Sequence, residues 1–132
     1  MPNHTSEAVK QELALIKKHV LKKGTGETCL PDDYASIHWT AKIRGTKEII
    51  EDSRKHFGVD KPKTFIIGHF DAIKCFDLIV AQMKQGERAT VMCPSQFVYG
   101  GTPTYGHFGS AQIPPNSDLT YTIDVISCTP SK

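Results

Sequence analysis

The chain predicts an α+β domain, an antiparallel sheet wrapped over one short helix. Three observations point there. Ile73, Phe76, Ile79, Val80 and Met83 recur at spacings of three and four, which makes one apolar face of a helix. Ahead of them Phe65, Ile66 and Ile67 form a β-branched, aromatic run suited to a strand, and Gly68 ends it. Most other ordered-looking segments alternate apolar and polar residues, the period of a strand buried on one face. The concave space between sheet and helix is where a site is expected.

Taken in order, residues 1–5 read as a tail. Ser6 is a candidate cap for a short helix carrying Ala8, Val9, Glu12, Leu13 and Ile16, ending near Leu15. Lys17 to Lys23 reads as a strand whose lysines mark a solvated edge, and Gly24-Thr25-Gly26 as a turn. Leu30 to Asp33 is a second turn. Ala35, Ile37, Trp39, Ala41 and Ile43 alternate with polar residues, so the odd positions face inward. His38 falls on the other face and is expected in solvent. Arg44 to Lys47 is a turn, Ile49 and Ile50 begin a return strand, and residues 51–54 leave it. Phe57 to Pro62 is a loop. Ala89, Val91 and Cys93 mark a further strand that Pro94 ends. Residues 100–112, with four glycines and Pro103, form a long loop of the kind that often carries function. Leu119, Tyr121, Ile123 and Val125 make the last strand.

The totals exclude several classes. The 132 residues suit one core, and 39% hydrophobic with 23% charged residues is ordinary for a globular protein. A net charge of +2, from 16 basic and 14 acidic side chains, is too weak and scattered to call for nucleic acid or an anionic membrane. No apolar run approaches the roughly 20 residues of a membrane helix, and the N-terminus lacks the pattern of a secretory leader. Cys29, Cys75, Cys93 and Cys128 form no CxxC pair. They are expected as four reduced thiols of a cytoplasmic protein, with two disulfides as the alternative.

Catalytic constellations are missing: no P-loop, no nucleophile elbow, no metal-ligand spacing among the six histidines and four cysteines. Glu51 and Asp52 are adjacent rather than opposed, unlike a glycosidase pair. What the sequence offers instead is aromatic residues at strand ends and loops: Trp39, Phe65, Phe76, Phe97, Tyr99, Phe108 and Tyr121. Singly each is a core residue. Together they would line an apolar concavity suited to a small ring or a proline.

Ordered motifs then carry a resemblance. Gly24-Thr-Gly-Glu27, His38-Trp-Thr40, Asp52-Ser-Arg54, Lys61-Pro62, Phe65-Ile-Ile-Gly68, Val80-Ala-Gln-Met83, Gly86-Glu-Arg-Ala89, Phe97-Val-Tyr-Gly100, Ile113-Pro-Pro-Asn116 and Leu119-Thr-Tyr121 resemble, in order and spacing, the FKBP family of peptidyl-prolyl cis-trans isomerases. The similarity runs from about Val20 to Ser127. It implies a curved antiparallel sheet of five to six strands around one short helix, spanning residues 17–132, after an N-terminal extension of residues 1–16 with its own short helix. It implies no cofactor and no metal. Its implied partners are proline-containing protein segments, and macrolides of the tacrolimus and rapamycin type with reduced affinity, in a chain that is a monomer or part of a larger assembly.

The resemblance implies Glu51, Phe76, Tyr99 and Tyr121 as catalytic residues, and Trp39, Ile50, Phe65, Ala72, Ile73, Phe97 and Ile113 as substrate-binding ones. Phe76 would be the floor, where the family most often has tryptophan. Phe65, Phe97 and Tyr121 would be walls, with the Ile73 N–H and the Tyr99 hydroxyl as donors. Four positions depart from the pattern. Trp39 replaces a tyrosine, Ile50 and Lys63 replace phenylalanines, and Glu51 replaces an aspartate (Asp52 would match with a shift of one). The loop from Gly100 to Ile113 is slightly longer than usual. Such a site needs no general base. The peptide bond rotates over a barrier of roughly 18–20 kcal/mol, and an apolar pocket that binds the twisted amide better than the planar one lowers it. The expected function is therefore X-Pro isomerisation in protein substrates. The alternative is an FKBP-like interaction module with weak or no catalysis.

Overall fold

A computed structural model describes residues 7–102, 104 and 112–130. The elements run α1 (Glu7–Leu13), β1 (Lys17–Lys22), β2 (Thr25–Thr28), β3 (Tyr34–Ile43), β4 (Glu51–Asp52), α2 (Ser53–Phe57), β5 (Lys63–Ile66), α3 (Lys74–Ile79), β6 (Lys84–Gln85), β7 (Arg88–Cys93) and β8 (Leu119–Thr129). A 3₁₀ turn over Val80–Gln82 extends α3, and another covers Ser95–Phe97. Six strands form one antiparallel sheet in the order β1-β7-β8-β3-β4, with β5 paired to the same edge of β3 as β4. β2 and β6 make a separate two-stranded ribbon, of which the sequence had suggested only the turn at Gly24-Thr25-Gly26. Gly24 enters that ribbon so closely that a Cβ there would lie 2.5 Å from the Gln85 carbonyl oxygen, so no side chain fits.

The alternation expected of β3 and β8 decides where the core lies. Ala35, Ile37, Trp39 and Ala41 point inward from β3 and Leu119, Tyr121, Ile123 and Val125 from β8, each at most 1% exposed. Their register sets Trp39 opposite Ile123 and Ala41 opposite Tyr121. The apolar face of α3 and its 3₁₀ extension lies against them: Phe76, Ile79, Val80 and Met83 are buried and Ile73 is half-buried. Lysines line the β1 edge as expected, but Lys18 is not simply solvated. Its ammonium meets the buried Glu87 carboxylate at 2.6 Å.

Four expectations are corrected. The segment after β4 is not a departing loop but the short helix α2, started by Asp52, whose carboxylate accepts from the Arg54 and Lys55 amides. His38 is 1% exposed rather than solvated, because α2 and the following loop cover it. Its Nε2 donates to the Val59 carbonyl at 2.9 Å, which leaves Nδ1 to accept from the Ser53 hydroxyl at 2.7 Å, while Ser53 Oγ accepts from the Trp39 amide. The four cysteines are not thiols: Cys29 pairs with Cys128 and Cys75 with Cys93. α1 is shorter than expected, and the proposed cap Ser6 lies outside the described residues. Asp52→Ala should cost about 1 kcal/mol in denaturant unfolding, the usual loss for a helix cap; an unchanged midpoint would mean α2 is held by packing alone.

Candidate functional site: an aromatic floor with a buried carboxylate

The site grows from β3, α3 and β8. Trp39 leaves the middle of β3, Phe76 the inner face of α3 and Tyr121 the middle of β8. Their rings meet edge to face, with centroids 5.2 Å apart between Trp39 and Phe76 and 4.9 Å between Phe76 and Tyr121. This is the geometry aromatic quadrupoles prefer. Phe57, at the end of α2, sets its edge on Trp39 at 6.4 Å. Nothing in the sequence pattern placed Phe57 there, because α2 itself was not expected; the Asp-Ser pair as a capping signal was the available clue.

Glu51 is the polar centre of this apolar place. Only 2% exposed, it accepts from Trp39 Nε1 at 3.0 Å through one oxygen and from the Tyr99 hydroxyl at 2.9 Å through the other. The indole N–H and the phenol thus occupy one carboxylate oxygen each. Asp52, the alternative match, points away to cap α2. The Tyr121 hydroxyl is buried in the same region and makes no hydrogen bond. Burial holds its pKa well above the usual phenol value, with the Glu51 charge and the neighbouring Tyr99 adding to the shift. It is therefore a neutral donor.

The other expected residues divide. Ile50 is buried beside Glu51, its amide bonded to Ala41. Phe97 is 6% exposed, with the Lys74 ammonium 5.5 Å over its ring, and Ile113 is buried where it bridges Thr104. Ala72 and Ile73 are half-buried at the start of α3, and the Ile73 N–H has no hydrogen-bond partner among the described residues. The turn that leads to them is braced by Asp77, whose carboxylate accepts from the Gly68 and Phe70 amides; burial nevertheless raises its pKa. Phe65 is buried, but on β5 opposite Ala35, and its ring does not join the Trp39–Phe76–Tyr121 group among the described residues. Lys63 is half-buried on the same strand. Phe108 and most of the 100–112 loop lie outside the described residues. No helix among those described is long and apolar enough to cross a membrane.

Comparison with known proteins gives the family. The family model for FKBP-type peptidyl-prolyl cis-trans isomerase matches residues 26–126. The chain is 36% identical over 90 residues to peptidyl-prolyl cis-trans isomerase FKBP1A of Xenopus laevis, covering 68% of this chain and 75% of that protein. It is equally 36% identical over 92 residues to Fkbp12 of Drosophila melanogaster, covering 69% and 76%. It spans only 24% of FK506-binding protein 59 of the same fly, at 33% identity over 84% of this chain. Among solved structures, the crystal structure of the three FKBP domains of wheat FKBP73 is similar with a TM-score of 0.77 at 27% identity, over 88% of this chain and 47% of that one. A six-stranded sheet around α3, an aromatic cluster against that helix, and a sequence match over 101 residues (26–126) converge on one assignment: this chain belongs to the family of FKBP-type peptidyl-prolyl cis-trans isomerases.

Proposed function

We propose that this chain accelerates X-Pro isomerisation in protein segments by seating the prolyl ring on the Trp39–Phe76–Tyr121 group. The three-ring contact carries the reading, because it gathers apolar surface three residues along α3 from the Ile73 N–H, unbonded among the described residues. Phe76 is the floor and Phe97 and Ile113 are walls. The Ile73 N–H, at the start of α3, is the backbone donor to the substrate. Glu51 acts by holding Trp39 and Tyr99 in place rather than by moving a proton. An apolar seat disfavours the charge-separated planar amide, and donors that fit the twisted form bind it selectively. Macrolides of the tacrolimus type enter the same pocket with reduced affinity, since Ile50 and Lys63 offer less apolar area than phenylalanine at about 25 cal/mol per Å². Phe65 acts from behind, as core.

One observation favours the second reading, a binding module with little catalysis. The Tyr99 hydroxyl, expected to reach the substrate, donates to Glu51 instead. Exchange NMR on a Leu-Pro or Phe-Pro peptide, with and without tacrolimus, separates the two. We expect acceleration that the drug abolishes; folded protein that leaves the exchange rate untouched would leave only the binding module. The two disulfides fit an oxidising compartment better than the cytoplasm expected from the sequence.

A further inference from the structure

The Tyr121 hydroxyl is the group that the reading so far leaves unused. Tyr121 is 0% exposed, and its oxygen is buried without a hydrogen bond. A buried, unsatisfied hydroxyl is a standing cost to the fold, and a phenylalanine in the same place would avoid it. The reason for its isolation is visible. Its polar neighbours are Glu51 and Tyr99, whose hydroxyl comes close enough to raise the Tyr121 pKa without meeting it in hydrogen-bond geometry. Glu51 Oε1 is taken by the Trp39 indole and Oε2 by the Tyr99 hydroxyl, so the donors beside it have partners and it has none. Its ring, meanwhile, packs on the edge of Phe76, the floor proposed to receive the prolyl ring.

We propose that the Tyr121 hydroxyl is a catalytic hydrogen-bond donor to the nitrogen of the bound prolyl ring, an inference that rests on the isomerase reading above. The chemistry selects nitrogen over oxygen. In the planar amide the nitrogen lone pair is delocalised and accepts poorly, while the carbonyl oxygen carries the negative charge. As the bond twists, the lone pair returns to nitrogen and the oxygen loses charge. A donor at oxygen therefore favours the ground state, whereas a donor at nitrogen is used only near the transition state and raises kcat. The phenol keeps its proton throughout; no bond is made or broken.

The test is Tyr121→Phe, which removes one oxygen and keeps the ring. Exchange NMR across a peptide concentration series gives kcat, a titration gives the peptide Kd, and a thermal melt gives Tm. The expected result is a kcat lower by about tenfold, the size of one neutral hydrogen bond, with Kd unchanged. Tm should rise by about 3 °C as the unsatisfied group is lost. A weaker Kd at unchanged kcat would overturn the proposal, since the hydroxyl would then hold the planar carbonyl. So would a variant that matches the unmodified protein in both constants, and that result would leave the isomerase reading standing. No acceleration by the unmodified protein would overturn both, and it is told apart because it needs no variant.

Discussion

Breaking the Cys29–Cys128 bridge with a Cys29→Ser, Cys128→Ser double substitution is expected to lower the folding free energy by about 4 kcal/mol. The two cysteines stand 99 positions apart. In the chain-entropy account, closing a loop of roughly 100 residues is worth about 4.7 kcal/mol, from which native strain subtracts. The Cys75–Cys93 bridge spans 18 positions and is worth about 3 kcal/mol on the same scale. A domain of this size holds about 5–15 kcal/mol in total, so reducing both should leave much of the chain unfolded near 37 °C. The order of reduction is also set by the fold. Cys75 and Cys93 are both fully buried, whereas Cys128 is half-buried at the sheet's end, so the longer bridge should open first. Denaturant unfolding with and without dithiothreitol, alongside thiol titration of the native protein, checks all of this. Four thiols titrating in a fully folded protein, with a midpoint indifferent to reductant, would contradict the pairing and restore the case for the cytoplasm.

Phe76→Ala should cost about 3–5 kcal/mol and remove whatever isomerisation the unmodified protein shows. Phe76 is wholly buried, touches both Trp39 and Tyr121 edge to face, and sits next to Cys75, whose bridge ties α3 to the end of β7. Deleting the ring leaves a cavity in place of the floor on which the prolyl ring is proposed to rest. Because such a loss could unfold the domain, Phe76→Leu is the informative companion: it keeps apolar volume and should retain the fold while reducing kcat/KM. Full activity in folded Phe76→Leu and Phe76→Ala proteins would move the seat away from α3.

The pieces of this fold that were legible in sequence are those with a strong period. Trp39 and Tyr121 were readable as inward-facing because each sits in an uninterrupted alternation, and a slip of one residue would have turned a whole strand inside out. Phe76 was readable because four other apolar residues share its helical face. The helix α2 was not, since five residues are too few for a period to show and only the Asp52 cap announced it. His38 was misplaced for a related reason. Alternation tells which face a residue lies on, but not whether another element later covers that face, and α2 does.

By itself, then, the amino-acid order determined the long alternating strands β3, β7 and β8, the central helix, and the inward facing of Trp39, Phe76 and Tyr121, because these follow from contacts between residues a few positions apart and from the sidedness of burial. Tertiary structure alone decided the rest. Cys29 finds Cys128 and Cys75 finds Cys93 only when distant elements meet, and no spacing rule encodes such pairs. The direction of the Tyr99 hydroxyl, the two bonds that occupy Glu51 and the isolation of the Tyr121 oxygen depend on ångström-scale distances between β3, β4, β8 and the segment after β7. A hydrogen bond is short and directional, so whether a buried polar group is satisfied is settled by packing and not by pattern.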